Sequence, residues 1–266
     1  MDSKKVLVLG GYGNFGKRIV EDLSSIKDIT IIIAGRNIKK AQDLVSSLTG
    51  TAEAQLIALS MDINSETMSH QLNDLSPFLV IHTSGPFQGQ NHRVPLACIQ
   101  SGSHYIDLAD DSSFVCGIDT LNLKAEEKGL LVVSGASSVP GLSSAVLDHY
   151  KKEFTRIDSI DIAIAPGNKA ERGEATVRGV LSYTGKPFPS FKKGINTQSY
   201  GWMDIRKLNF GSIIGKRWLA NVDVPDLSIY PTRYKVQDSV TFQAGLELPT
   251  LHISMHIMAW LTKLNV

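Results

Sequence analysis

The 266-residue sequence predicts an α/β fold, a doubly wound parallel sheet followed by a smaller α+β domain with a mainly antiparallel sheet. Three observations carry this. Up to about residue 133, short β-branched apolar runs alternate with longer amphipathic stretches, the rhythm of successive βαβ units. Those runs are apolar almost throughout, as strands covered by helices on both faces must be. Beyond residue 137 the texture changes to apolar–polar alternation, the mark of strands with one wet face.

In chain order, the apolar runs fall at residues 6–9, 29–34, 55–59, 79–82, 104–108 and 130–134. Helical stretches are expected between them at 15–25, 38–48, 65–75, 94–101 and 120–128. The first domain is therefore placed at 1–137 and the second at 138–266. The second should open with a helix over 142–152 and carry antiparallel strands at 157–164, 174–183 and 236–243. Glycine, proline and lysine clusters, notably 185–194, separate them. Near the end, Leu251, Met255 and Met258 form one apolar helical stripe and Ile253, Ile257, Trp260 and Leu264 another, leaving His252, His256 and Lys263 on the third face. Such a helix calls for partners on most sides: a homodimer, a membrane surface, or chain continuing past Val266.

Composition narrows the partners. With 42% hydrophobic residues the chain can bury substantial cores, and a net charge of +1 without long charge runs gives no electrostatic basis for capturing nucleic acid. A small molecule is the expected partner. Cys98 and Cys116 are the only cysteines and lack zinc-site spacing, so both read as small buried apolar residues. His252 and His256 have no third ligand nearby in sequence, so no metal site is expected. The amino-terminal apolar run is too short for a signal peptide, which makes the cytoplasm the default setting.

The chemistry lies in Val6-Leu7-Val8-Leu9-Gly10-Gly11-Tyr12-Gly13-Asn14-Phe15-Gly16, a strand, a glycine-rich turn and a helix start. In this context the pattern predicts a Rossmann-type dinucleotide site. Gly11 is expected to permit the turn, Gly13 to admit the diphosphate, and Gly16 to let the helix pack closely. Tyr12, Asn14 and Phe15 share the loop, and the diphosphate rests on the helix amino terminus. Where an NAD site places an acid after the second strand, this chain has Arg36 followed by Asn37. A guanidinium grips a 2′-phosphate in bidentate fashion, so NADP(H) is the predicted cofactor. Lys39 and Lys40 are candidate helpers. Asp62, after the third strand, suits either the adenine edge or a helix cap. A short-chain dehydrogenase is disfavoured because no tyrosine is followed four positions later by lysine.

Four segments together resemble the saccharopine dehydrogenase family: Gly10 to Gly16, Ala34-Gly35-Arg36-Asn37, Thr83-Ser84-Gly85-Pro86-Phe87 with Ala97-Cys98-Ile99 and Gly102 to Asp107, and Ser138-Val139-Pro140-Gly141. They span roughly residues 5 to 150. The resemblance implies an NADP-binding domain in which Ser84, Gly85 and Pro86 pass near the nicotinamide. Residues 151–266 carry no pattern matching the lysine-pathway enzymes, so the resemblance does not extend to saccharopine as substrate.

Hydride transfer is the cofactor's chemistry and leaves the protein one proton to manage. Asp110, beside Asp111, and His92 are the candidates, against the plainer reading of Asp110 and Asp111 as turn acids. Three functions follow: an NADP(H)-dependent oxidoreductase of a small or lipid-like substrate, a non-catalytic dinucleotide-binding sensor or scaffold, and a membrane-surface or partner-binding protein using the terminal helix.

Overall fold

The computed structural model describes residues 3–170 and 173–265, which form two compact units. One comprises Met1–Ala109 with Gly117–Ser137, the other Asp110–Cys116 with Ser138–Val266. The short segment Asp110–Cys116 thus goes with the second unit, although it lies inside the first domain in sequence.

The first unit is a parallel sheet of β1 (Lys4–Leu9), β2 (Ile29–Gly35), β3 (Gln55–Ser60), β4 (Leu79–His82), β5 (His104–Asp107) and β6 (Val132–Val133). Their order is β3-β2-β1-β4-β5-β6, every neighbour parallel. Alternation along β1 builds two cores. Val6 and Val8 meet Val20, Ala41 and Leu44 of α1 (Asn14–Leu23) and α2 (Ile38–Leu48). Leu7 and Leu9 meet Met68, Leu72 and Ala97 of α3 (Met68–Leu75) and α4 (Arg93–Gln100). Both faces of the sheet are covered, which is why its strands read as unbroken apolar runs. The helix expected over 120–128 is α6 (Asn122–Glu127), entered through a 3₁₀ turn at Ile118–Leu121 and preceded by a short helix that was not expected, α5 (Ser112–Gly117).

The second unit runs α7 (Ser143–Tyr150), β7 (Ser159–Ile164), α8 (Glu174–Ser182), β8 (Pro187–Lys192), β9 (Ile195–Tyr200), β10 (Arg206–Asn209), β11 (Lys216–Asn221), α9 (Asp226–Arg233), β12 (Ser239–Ala244) and α10 (Pro249–Lys263). Its sheet is ordered β10-β11-β12-β8-β9 with β7 beside β12, and is mainly antiparallel. Trp202, Leu227, Tyr230, Phe242 and Met255 belong to its core.

Four expectations for this unit need correction. β7 pairs in parallel, not antiparallel, with β12 over six residues. The strand expected over 174–183 is α8; Val180 and Tyr183, three apart, both pack on the core while Val177 and Leu181 face out, a one-sided helical period. Within the supposed spacer 185–194 lies β8, where Phe188 and Ser190 are buried and Pro187 and Pro189 face out. Prolines concealed its alternation. Finally, α10 turns its histidine face inward. His252, Met255 and Ala259 are buried, whereas Leu251, Ile257, Trp260 and Leu264 are exposed. The reason is fit: His252 packs edge-on to Trp202 at 5.5 Å, and Ala259 lets the backbone of Gly185 approach so closely that a Cβ there would collide. No described helix is long and apolar enough to cross a membrane.

Candidate functional site

Strand order reverses between β1 and β4, so the loops after these strands leave in opposite directions and open a crevice at the carboxyl edge of the sheet. Four glycines define its floor. Gly10 takes φ +77°, and a Cβ there would meet Ser84 Oγ at 2.8 Å and Thr83 Oγ1 at 2.9 Å. The turn therefore falls on Gly10, not on Gly11 as the sequence suggested. Gly11 is hemmed in by Val8 and Ile33 instead. Gly13 precedes α1, and apart from the Gly10 carbonyl at 3.0 Å nothing lies within 4 Å of a Cβ built on it. Gly16 backs onto the turn, its Cβ position 2.8 Å from Gly11 Cα.

The loop after β4 braces this turn. Thr83 Oγ1 donates to the carbonyls of Leu9 at 2.8 Å and Gly10 at 3.2 Å. Gln90 Nε2 in turn donates to the carbonyls of Ser84 at 2.9 Å and Pro86 at 2.7 Å, fixing Ser84, Gly85 and Pro86. The first turn of α1 holds no acidic side chain, leaving its positive end for an anion.

On the other flank, the Tyr12 ring lies over Gly35, where a Cβ would come within 2.6 Å of it. The Tyr12 hydroxyl accepts the Asn37 N–H at 2.8 Å, and the Asn37 side chain accepts the Lys40 N–H at 3.2 Å to cap α2. Arg36, between these anchors, is exposed and makes no hydrogen bond or ion pair with any described residue. Lys40 lines a cleft of about 300 Å³ with Tyr12 and Lys17. Asp62 Oδ1 accepts the Asn64 N–H at 3.0 Å, closing a local turn before α3.

A Gly13 with no side chain near its Cβ position, a helix amino terminus without acid and a guanidinium without a partner among the described residues together fit a phosphorylated dinucleotide. Sequence comparison agrees: residues 6–133 match the family described as saccharopine dehydrogenase NADP binding domain. The first unit is similar to such a domain, whose cofactor is a nicotinamide dinucleotide. No curated protein matches the sequence. Among solved structures, the saccharopine dehydrogenase (L-Glu forming) of Saccharomyces cerevisiae is similar at 16% identity and a TM-score of 0.67, over 91% of this chain and 55% of that one. The chain thus spans little more than half of the yeast enzyme. UDP-N-acetylglucosamine 3-dehydrogenase of Acidithiobacillus ferrooxidans matches at 11% identity and a TM-score of 0.47, over 91% of this chain and 67% of that one. A short-chain dehydrogenase of Sphingobium yanoikuyae in complex with NADPH matches at 15% and 0.39, over 49% and 69%. At this identity the likeness to the yeast enzyme is one of fold.

Within the first unit, β4 and β5 end in a buried polar group that sequence reasoning missed. His82 and Asp107 are register partners, both fully buried. His82 Nδ1 and the Tyr105 hydroxyl share a hydrogen bond of 2.9 Å. Asp107 Oδ1 accepts from Ala109 N at 2.9 Å, Gly135 N at 2.8 Å and Ser134 Oγ at 3.0 Å, tying together the loops that follow β5 and β6. Burial raises the Asp107 carboxyl above its usual range and lowers the His82 imidazole to about 3. The signal was present in sequence as polar residues ending two apolar strands, but a strand histidine and a strand aspartate are individually unremarkable.

His92 precedes α4 and packs against Gly117, where a Cβ would meet its Cε1 at 2.8 Å. Asp110 is exposed and belongs to the second unit. There Asp111 Oδ1 caps the Phe114 N–H at 2.8 Å, and Ser112 Oγ donates to Asp223 Oδ1 at 2.7 Å. Burial, reinforced by Asp111, raises the Asp223 carboxyl, and burial with the charges of Asp110 and Asp223 raises Tyr183. Asp223 and Tyr183 were not legible as companions of Asp110, since only the tertiary fold joins positions so distant in sequence.

Proposed function

We propose that this chain is an NADP(H)-dependent oxidoreductase of the saccharopine dehydrogenase-like type acting on a small or lipid-like organic substrate, with the phosphorylated dinucleotide preferred over NAD(H). One observation supports this most: Arg36, with no hydrogen bond or ion pair to any described residue, sits between Tyr12 and Asn37, and Gly13 opens at the head of α1 with only the Gly10 carbonyl within 4 Å of a Cβ built on it. Gly10, Gly13 and Gly16 shape the seat for the diphosphate on α1, with Tyr12, Asn14 and Phe15 along its edge. Arg36 engages the 2′-phosphate, helped by Lys40. Asp62 borders the adenine, and Ser84, Gly85 and Pro86 the nicotinamide. When bound, the cofactor supplies or accepts hydride at its nicotinamide ring.

The proton is assigned to Asp110, in an acidic neighbourhood where Asp223 and Tyr183 already hold their protons more tightly than usual, with His92 as the second candidate. The test is oxidation of NADPH, followed at its absorbance maximum, across a panel of carbonyl, imine and enoyl compounds. Turnover that falls at least tenfold in Asp110→Asn supports the reading. A complete lack of turnover with every class, despite tight NADPH binding, replaces it with a non-catalytic dinucleotide sensor.

A further inference from the structure

The second unit holds a feature that its place in the fold does not explain. Beside β7 and beneath α7 runs a groove of about 740 Å³ whose walls include Leu142, Val146, Tyr150, Phe154, Ile160 and Ile162. Several of these stay open to solvent, Leu142 at 62% and Phe154 at 60%, although soluble proteins seldom leave so many large apolar side chains together. The groove does not end blindly. Through Lys151, Phe154, Arg156 and Ile157 it joins a cleft of about 380 Å³ that also gathers Arg233 and Lys235.

Charge in this cleft is mostly positive. Asp148 accepts from Lys151 at 3.1 Å and from Arg233 at 2.7 Å, and Asp158 pairs with Arg156 at 2.7 Å. Two carboxylates therefore face four cations, and Lys235 has no ion-pair partner among the described residues. A long apolar channel opening onto excess cationic charge complements one kind of molecule: an alkyl chain ending in an anion. Chain burial supplies affinity, and the cluster selects the head.

We propose that this groove binds an anionic amphiphile, with the alkyl chain along α7 and β7 and a carboxylate or phosphate head among Arg156, Arg233 and Lys235. Every residue of this site belongs to the second unit.

The test uses the full chain and calorimetry below the critical micelle concentrations with dodecanoate, dodecyl phosphate, dodecanol and dodecyltrimethylammonium. Both anions are expected to bind, each at least tenfold more tightly than dodecanol, and the cation not at all. The stronger of the two anions identifies the head. Val146→Glu should abolish binding, and Lys235→Glu should weaken the anions at least fivefold while leaving dodecanol unchanged. NADPH titration and circular dichroism of each variant report whether it is folded. Equal affinity for dodecanol and dodecanoate overturns the proposal, as does binding untouched by Val146→Glu. It is equally overturned if no amphiphile binds while sedimentation shows a dimer that Val146→Glu dissociates, since the groove is then covered by a second copy.

Discussion

The Tyr12 hydroxyl accepts the backbone N–H of Asn37 at 2.8 Å, so one side chain of the glycine turn fixes the loop that carries Arg36. The glycine turn and the loop of Arg36 are thereby held in one geometry. Tyr12→Phe keeps the ring over Gly35 and removes the hydrogen bond, a loss of about 1 kcal/mol. NADPH affinity should fall roughly fivefold and NADH affinity by less, measured by calorimetry at fixed salt.

Gly16 and Gly13 should respond differently to alanine. A Cβ on Gly16 is driven into the backbone of Gly10 and Gly11, whereas a Cβ on Gly13 touches only the Gly10 carbonyl. Gly16→Ala should therefore destabilise the first unit by about 1–3 kcal/mol in urea unfolding. Gly13→Ala should leave stability nearly unchanged and weaken dinucleotide binding at least tenfold, because the added methyl stands where the diphosphate must approach.

His82 should make the fold acid-sensitive. Burial holds its folded pKa at about 3, below the 6.5 of the unfolded chain, so between these values the unfolded state binds the extra proton. Stability is then lost as pH falls below about 6.5, with a limiting slope of about 1.4 kcal/mol per pH unit for this one group. Asp107 acts in the opposite direction: its raised folded pKa costs stability as pH climbs through and above 3.8. Melting temperatures from pH 7 to pH 4 should flatten in His82→Gln. An unchanged slope removes His82 as the cause.

The orientation of α10 is open to a paired substitution. Met255 is buried and Leu264 is 62% exposed. Met255→Ala should cost about 2–5 kcal/mol. Leu264→Ala should stay within about 0.5 kcal/mol. Similar losses at both positions would return the helix to the arrangement its apolar stripes suggested.

The first unit was legible because a parallel sheet between two helical layers leaves two independent signatures, unbroken apolar strands and a glycine turn at a fixed place. Both appear where β1 meets α1. The second unit was less legible for identifiable reasons. Pro187 and Pro189 sit inside β8, apolar residues of α8 mimic strand alternation, and the face of α10 was ranked by hydrophobicity when His252 and Ala259 are buried by shape and by Trp202. At the candidate site, the residues local to the turn are the ones a sequence pattern can propose. Tyr12 as a tether, the His82–Tyr105–Asp107 group and Asp223 are not among them, because each works through a partner far along the chain.

Arg36 bears the central claim, and calorimetry of the unmodified chain and of Arg36→Asp with NADPH and NADH tests it most directly. The account predicts that the unmodified chain prefers NADPH, and that the substitution weakens NADPH by about a hundredfold, the scale of a lost charge-assisted contact replaced by repulsion, while NADH changes little. Equal binding of the two dinucleotides by the unmodified chain, or a preference that survives Arg36→Asp, would contradict it.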